Sequence, residues 1–183
     1  MLFYMTGGRL ISILQTAQYG SGSFDGKEYI DTVTLGAGFA INNQSIGVAY
    51  YSSGFNGVDG ILGIGPVDLT CGTLFPARSS CIPTVTNNAF EQRLISNESI
   101  GISFVPTTTP DIIDGALTFG SADTSKYTGD ITYVDITSTS PANRYVGIDQ
   151  SITYGQGGPT ILPETAGIVD TGTTLLMISS GAQ

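Results

Sequence analysis

The sequence predicts an all-β protein, and three features of it support this. Hydrophobic residues make up 40% of the 183 residues, while only 11% are charged. Short segments rich in Val, Ile, Thr and Tyr alternate with turn residues, and the chain holds 25 glycines and 8 prolines. No long helical periodicity is present. A chain of this length can bury a core as one domain or as two small ones.

Composition also narrows the functional classes. The net charge of -9 argues against nucleic-acid binding, which usually needs a basic face. The chain contains no histidine, which removes Ser-His-Asp and Cys-His catalysis together with the commonest metal ligand. Hydrolytic chemistry would therefore have to rest on carboxylates. We predict no metal and no cofactor.

The first predicted elements are strands that surround a hairpin. Strands are predicted at Leu10–Leu14, Tyr29–Leu35 and Ser45–Tyr51. Between the first two lies Gly20-Ser21-Gly22, a pair of glycines around one serine that predicts a hairpin tip. An ordinary surface hairpin, with Tyr19 packed on a neighbour, is one interpretation of this pattern.

A glycine-rich segment follows the third strand. Val58–Pro66 alternates glycine with aliphatic residues, which predicts close backbone packing. Phosphate binding is not indicated, because neither a lysine nor a helix start accompanies the glycines. A simple core strand is compatible with the same pattern.

One helix is predicted, and the remaining elements are strands. The helix spans Thr84–Ser96, with Thr84 or Thr86 as its N-cap. Its apolar face is predicted to consist of Phe90, Leu94 and Ile95. Further strands are predicted at Gly101–Val105, Gly115–Gly120, Ile131–Ile136, Tyr145–Ile148 and Ser151–Tyr154.

Several features bear on the cellular compartment. Cys71 and Cys81 are the only cysteines, and a disulfide between them would close a surface loop, worth about 2–3 kcal/mol. Two free thiols are the alternative. Asn43-Gln44-Ser45 and Asn97-Glu98-Ser99 are glycosylation acceptor patterns consistent with secretion. Met1–Leu14 is apolar but interrupted, so it predicts neither a signal peptide nor a membrane span.

The strongest candidate for chemistry lies near the C-terminal end, in Gly167–Leu176. Two apolar β-formers lead to Asp170, and a small Thr-Gly-Thr turn follows. A carboxylate at a turn after a buried strand is poorly hydrated, which makes Asp170 a candidate proton-transfer group. Gly172 would let another backbone approach closely. An Asx turn that simply ends a strand is the alternative interpretation.

Three of these segments, in the same order, resemble the pepsin-like aspartic proteases of family A1. They are Tyr19–Gly22 with its following strand, Val58–Pro66 and Gly167–Leu176. Gly54–Gly60 resembles the secreted fungal branch of that family. The resemblance implies a partial bilobal acid protease fold. Residues 1–128 would form the N-terminal lobe after its first catalytic strand, with the flap, and residues 129–183 the first part of the C-terminal lobe.

The resemblance also implies an activity and a set of residues. Asp170 would be the second aspartate of a dyad that activates water and hydrolyses peptide bonds in proteins at acid pH. Thr171 would support the active site by a hydrogen bond to the loop that carries the other aspartate of the dyad. Substrate binding is assigned to Tyr19, Gly20, Ser21, Gly22, Ile61, Gly172, Thr173 and Thr174.

The first aspartate of the dyad has no counterpart in this sequence. Only 18 residues precede Tyr19, and none of them is acidic. We therefore expect this chain alone to be an inactive fragment of a secreted endopeptidase that acts as a monomer on protein or peptide substrates, without membrane or nucleic-acid partners. Two alternatives stay open: a non-catalytic peptide-binding or inhibitor-like protein on the same fold, and a homodimer in which two copies of Asp170 meet.

Overall fold

The computed structural model describes residues 7–109 and 112–182, and it confirms the all-β class. Strands account for 37% of the described residues and helices for 10%. The chain divides into two compact units, the first ending at Gly129 and the second beginning at Asp130.

The first unit is built around a four-stranded antiparallel sheet. Its strands are β1 Arg9–Gln18, β2 Ser23–Gly36, β3 Phe39–Ser53 and β4 Leu74–Phe75. They lie in the order β3-β2-β1-β4. The three long strands extend beyond the predicted segments, because ladder hydrogen bonds hold polar residues in a strand as readily as apolar ones.

The ladder between β2 and β3 is irregular at three points, one of which lies between Asp31 and Val33. Asp31 pairs with Gln44, but the next pairing joins Val33 to Ile41, so the two strands differ in residue count between these pairs. Asn43 absorbs the irregularity with a left-handed φ of 53°. Asparagine is among the few non-glycine residues that adopt this conformation readily.

The core of the first unit lies between β3 and the helix α1, Val85–Glu91. Ile41 and Ala89 are fully buried, and Val85 packs with them. Partly buried hydrophobic side chains surround this cluster: Leu35, Phe39, Leu62, Ile64, Ile95 and Phe119.

The helix is shorter than predicted, and it buries a different face. Thr84 is the N-cap: its amide donates to Asn87 Oδ1 (3.0 Å), and its hydroxyl accepts from the Asn87 amide. The helix ends before Arg93, whose left-handed φ of 58° breaks the helical path. Phe90 and Leu94 are consequently exposed, so the predicted apolar face is wrong; only Ile95 of that set packs against the core.

The segment between Val67 and Pro83 is a loop fastened to the sheet. Val67–Thr70 is a short 3₁₀ helix, and Cys71 forms a disulfide with Cys81. The Thr70 hydroxyl accepts a hydrogen bond from the Ile82 amide (2.6 Å), so a polar contact lies beside the covalent one.

The buried side chain of Gln44 connects three elements of this unit. Its Nε2 donates to the carbonyl of Pro83 (3.0 Å), at the end of the disulfide loop. Its Oε1 accepts from Nδ2 of Asn88 (2.8 Å), on α1. With Gln44 on β3 only 4% exposed, its amide ties strand, loop and helix together.

The rest of the first unit and the whole second unit contain short elements. In the first unit, β5 Ile100–Ser103 pairs with β6 Ala116–Phe119, and a 3₁₀ helix follows at Thr124–Lys126. The second unit consists of a 3₁₀ helix at Ala142–Arg144 and an antiparallel pair, β7 Gly147–Thr153 and β8 Thr160–Ile168.

Three strand predictions for these regions need correction. Ile131–Ile136 is not a strand; β-forming residues without a ladder partner do not make one, and Tyr133 within it is 84% exposed. The strands predicted at Tyr145–Ile148 and Ser151–Tyr154 are one strand, β7. Val58–Pro66 likewise has no regular strand structure.

None of the helices in the described part of the chain combines the length and apolar composition that crossing a membrane requires.

The Gln44 connection predicts a large effect of a small change. Gln44→Ala leaves the Pro83 carbonyl and the Asn88 amide without their partner, so we expect a loss of about 2 kcal/mol or more in the free energy of unfolding. Urea denaturation measures this, with the exposed Gln156→Ala as control. Equal stability of the two variants would contradict the connecting role of Gln44.

The disulfide predicts a second effect on stability. The bridge closes a ring across a sequence separation of 10, so its loss should lower the free energy of unfolding by about 2–3 kcal/mol. The Cys71→Ser/Cys81→Ser double variant tests this in thermal denaturation. A reducing agent should destabilise the wild type and leave the double variant unchanged; the same response in both would refute the prediction.

Candidate functional site

The hairpin between β1 and β2 ends in a tight turn at Tyr19–Gly22. The Tyr19 amide donates to the Gly22 carbonyl (2.7 Å) and closes the turn. Gly20 lies at its tip, where a Cβ would meet nothing within 4 Å. The predicted hairpin is therefore present, with an exposed glycine and serine at its end.

The ring of Tyr19 is supported by Phe55, a residue that sequence reasoning missed. The two rings make an edge-to-face contact with centroids 5.4 Å apart, and Tyr19 remains 40% exposed. Burial against its neighbours raises the pKa of the Tyr19 hydroxyl above its ordinary value. Phe55 is an aromatic residue placed just after β3, whose end pairs with the start of β2 beside the hairpin turn, and that placement was the available signal.

Gly22 is where the chain after β3 approaches the hairpin. A Cβ at this position would lie 2.6 Å from the Ser53 carbonyl oxygen and 2.9 Å from Cζ of Phe55. Neither distance is possible for a real side chain, so the close approach of β3 requires glycine at position 22.

Ile61 is 51% exposed and belongs to an irregular segment. Its neighbours Leu62 and Ile64 pack on the core, whereas Ile61 is half exposed. The expectation of close backbone packing is wrong at Gly60 and Gly63, where a Cβ would meet nothing within 4 Å. Leu62 and Ile64 anchor this segment to the core.

Asp170 lies in the second unit, two residues after β8 ends. Its Oδ1 accepts a hydrogen bond from the Gly172 amide (2.9 Å), and its Oδ2 accepts one from the Thr173 hydroxyl (2.6 Å). A Cβ at Gly172 would crowd Oδ1 at 3.3 Å. Both carboxylate oxygens are thus held by the turn that follows, in the geometry of an Asx turn.

The expectation that Asp170 is poorly hydrated is wrong for this chain. Asp170 is exposed because the two residues before it are not buried: Ile168 is 45% exposed and Val169 52%. Thr171 and Thr174 are exposed as well. Among the described residues, no group of three or more Cys, Asp or Glu side chains could hold a metal ion.

A carboxylate fixed in this way can accept a proton or orient a water molecule. The two donors on its oxygens fix the orientation of the carboxylate relative to the turn. For acid–base work on a peptide bond, a second acidic group would have to share its proton. The hairpin and this turn are the two places where residues singled out from the sequence cluster.

Comparison with known proteins gives the class to which the chain belongs. Residues 7–182 match the family described as eukaryotic aspartyl protease, so the chain is a member of that family. The resemblance read from the sequence is confirmed.

Individual relatives agree with this. Polyporopepsin of Irpex lacteus is 62% identical over 164 residues, which cover 90% of this chain and 48% of the relative. Cathepsin D of Dictyostelium discoideum is 38% identical over 127 residues, 67% of this chain and 30% of its own length. The chain therefore spans about half the length of polyporopepsin and less of cathepsin D.

A solved structure confirms the pepsin-like fold. The crystal structure of the aspartic proteinase from Irpex lacteus matches with a TM-score of 0.92 and 57% identity. The match covers 98% of this chain and 52% of that one.

The support of Tyr19 by Phe55 predicts a spectroscopic change. Phe55→Ala should hydrate the Tyr19 hydroxyl and return its pKa toward the ordinary value of 10.0. NMR titration with ring-labelled tyrosine, assigned through Tyr19→Phe, measures the shift. Phe55→Leu, which keeps an apolar side chain, should retain more of it.

The sign of the linked stability change follows from the same shift. Because the folded-state pKa of Tyr19 is raised, its contribution to stability is full below the unfolded pKa and is lost as pH rises through the folded one. The wild type should therefore lose more stability than Phe55→Ala above about pH 10. An unchanged Tyr19 titration in Phe55→Ala would contradict the supporting role of Phe55.

Proposed function

We propose that this chain supplies one half of the catalytic apparatus of an aspartic endopeptidase, with Asp170 as one of two carboxylates. The observation that carries the proposal is the Asp170 carboxylate, held on both oxygens by Gly172 and Thr173 within the Asp-Thr-Gly-Thr sequence. Membership of the aspartyl protease family supports it.

The chemistry follows from two like charges at close range. Two neighbouring carboxylates cannot both ionise easily, so they share one proton. One acts as base toward a water molecule, and the protonated one polarises the peptide carbonyl; the pair titrates as a unit. The amide of Gly172 and the hydroxyl of Thr173 hold Asp170 in one orientation for this exchange. Thr171 would bond across to the partner loop.

Substrate binding is proposed for the hairpin and for Ile61. The exposed backbone of Gly20 and Ser21, together with that of the partly buried Gly22, would pair with an extended peptide, as an added strand does. The half-exposed ring of Tyr19 and the exposed Ile61 would favour apolar side chains on the substrate. Glycines at the tip would let the hairpin open and close. Gly172, Thr173 and Thr174 would contact substrate near the carboxylate.

The proposal also divides the chain into two lobes. We assign residues 1–128 to the N-terminal lobe with its flap and residues 129–183 to the C-terminal lobe with Asp170. The division of the structure after Gly129 supports this assignment. The full-length enzyme would be a secreted monomer that acts on proteins at acid pH, and the disulfide supports an oxidising compartment.

A chimera tests the role of Asp170. The chain replaces the matching region of polyporopepsin, whose remaining residues complete the active site. Asp170→Asn should lower kcat for an acid-denatured protein substrate by about 1000-fold or more, since it removes one carboxylate of the pair. Asp135→Asn, an exposed carboxylate in the same unit, is the matched control.

The 183-residue chain alone, assayed at acid pH, should show no cleavage that pepstatin inhibits. Retained activity of the Asp170→Asn chimera would remove Asp170 from the catalytic pair. Pepstatin-sensitive cleavage by the isolated chain would show that one carboxylate per chain is sufficient.

A further inference from the structure

The two glycosylation acceptor patterns occupy different environments in the fold. Asn43 lies at one of the irregular points of the β2–β3 ladder, opposite Asp31 to Val33, and Asn97 lies in the turn between α1 and β5. Both side chains are exposed. The two residues differ in the hydrogen bonds that their side-chain amides make.

The Asn97 amide is engaged. Its Nδ2 donates to the carbonyl of Gly120 (3.2 Å) and to the hydroxyl of Ser96 (3.3 Å). An N-linked sugar replaces one of the two hydrogens on Nδ2, so attachment would remove at least one of these bonds. The surroundings are also crowded, since a Cβ at Gly120 would lie 2.8 Å from Cβ of Ile95.

The side-chain amide of Asn43 has no hydrogen-bond partner within the described residues, although the residues before and after Asn43 are held by hydrogen bonds. The Asn42 amide donates to Gln92 Oε1 (2.9 Å), and its carbonyl accepts from Gln92 Nε2 (2.8 Å). Gln44 is the buried connecting residue described above. At its left-handed position, Asn43 thus has a side-chain amide that makes no hydrogen bond within the described residues, while the residues before and after it are held in place.

The surface beside Asn43 suits a sugar. A groove of about 330 Å³ opens there, with Ser45 Oγ donating to Glu28 Oε1 (2.6 Å) in its wall. Sugars combine an apolar ring face with hydroxyl groups, and the groove offers both kinds of partner. Its lining includes Ile11, Ile13, Ile30, Leu74, Glu28 and Ser45.

We propose that Asn43 is the acceptor of an N-linked oligosaccharide and that Asn97 is left unmodified. In the transfer, Asn43 Nδ2 bonds to C1 of an oligosaccharide carried on a lipid pyrophosphate. The C1–O bond to the pyrophosphate breaks, the lipid pyrophosphate leaves with the electron pair, and the amide loses one proton. The first sugars then lie over the groove beside Asn43.

The test is secretion of the full 183-residue chain from yeast behind a heterologous leader. Glycosidase release in ¹⁸O water marks each formerly glycosylated asparagine as a labelled aspartate in peptide mapping. Labelled aspartate is expected at position 43 and not at 97. The glycan should be lost completely in Asn43→Gln and retained in Asn97→Gln. Ser45→Thr, which keeps the acceptor hydroxyl, should also retain it.

Mapping of the cell-retained fraction gives the same readout for any variant that is not exported. An unmodified Asn43 in the wild type would overturn the proposal, and so would equal occupancy of Asn43 and Asn97. No step of this experiment reads proteolysis, so its outcome is independent of the proposed catalytic function.

Discussion

The first unit depends on the need of a buried amide for partners. Gln44 is removed from water, so every hydrogen bond that its side chain would make with solvent must be replaced within the protein. The replacements are the Ser45 carbonyl, a loop carbonyl and an asparagine on a helix, and the last two fix where the loop and the helix lie against β3. The disulfide closes the same loop covalently, so hydrogen bonds and a covalent bridge together restrain this segment.

The two candidate parts of the active site are built by different means. The hairpin is positioned by tertiary contacts, since Phe55 and the Ser53 backbone, both far from the turn in sequence, set where Tyr19 and Gly22 lie. The carboxylate of Asp170 is positioned by its own turn, through donors two and three residues away. The first arrangement requires the folded sheet, whereas the second needs little more than the local sequence.

That difference explains what could be predicted from the sequence. Local signals predicted local structure: the hairpin glycines, the Thr84 cap and the Asx turn at Asp170 all depend on a few neighbouring residues. The predictions that failed depended on distant partners, because burial and pairing are tertiary properties. Ile131–Ile136 has strand-forming residues but no ladder, and Phe90 has an apolar side chain on a helix that ends too early to bury it. The contact between Phe55 and Tyr19 was not predicted for the same reason.

The glycine at position 22 also limits how this protein and its relatives can diverge. Two different groups occupy the space that a side chain there would need, one an aromatic ring and the other a carbonyl of the main chain. A smaller residue at position 55 would remove the ring but not the carbonyl. A substitution at position 55 therefore cannot compensate for an alanine at position 22. Among relatives, glycine should be retained at position 22 even where the aromatic residue at position 55 is replaced.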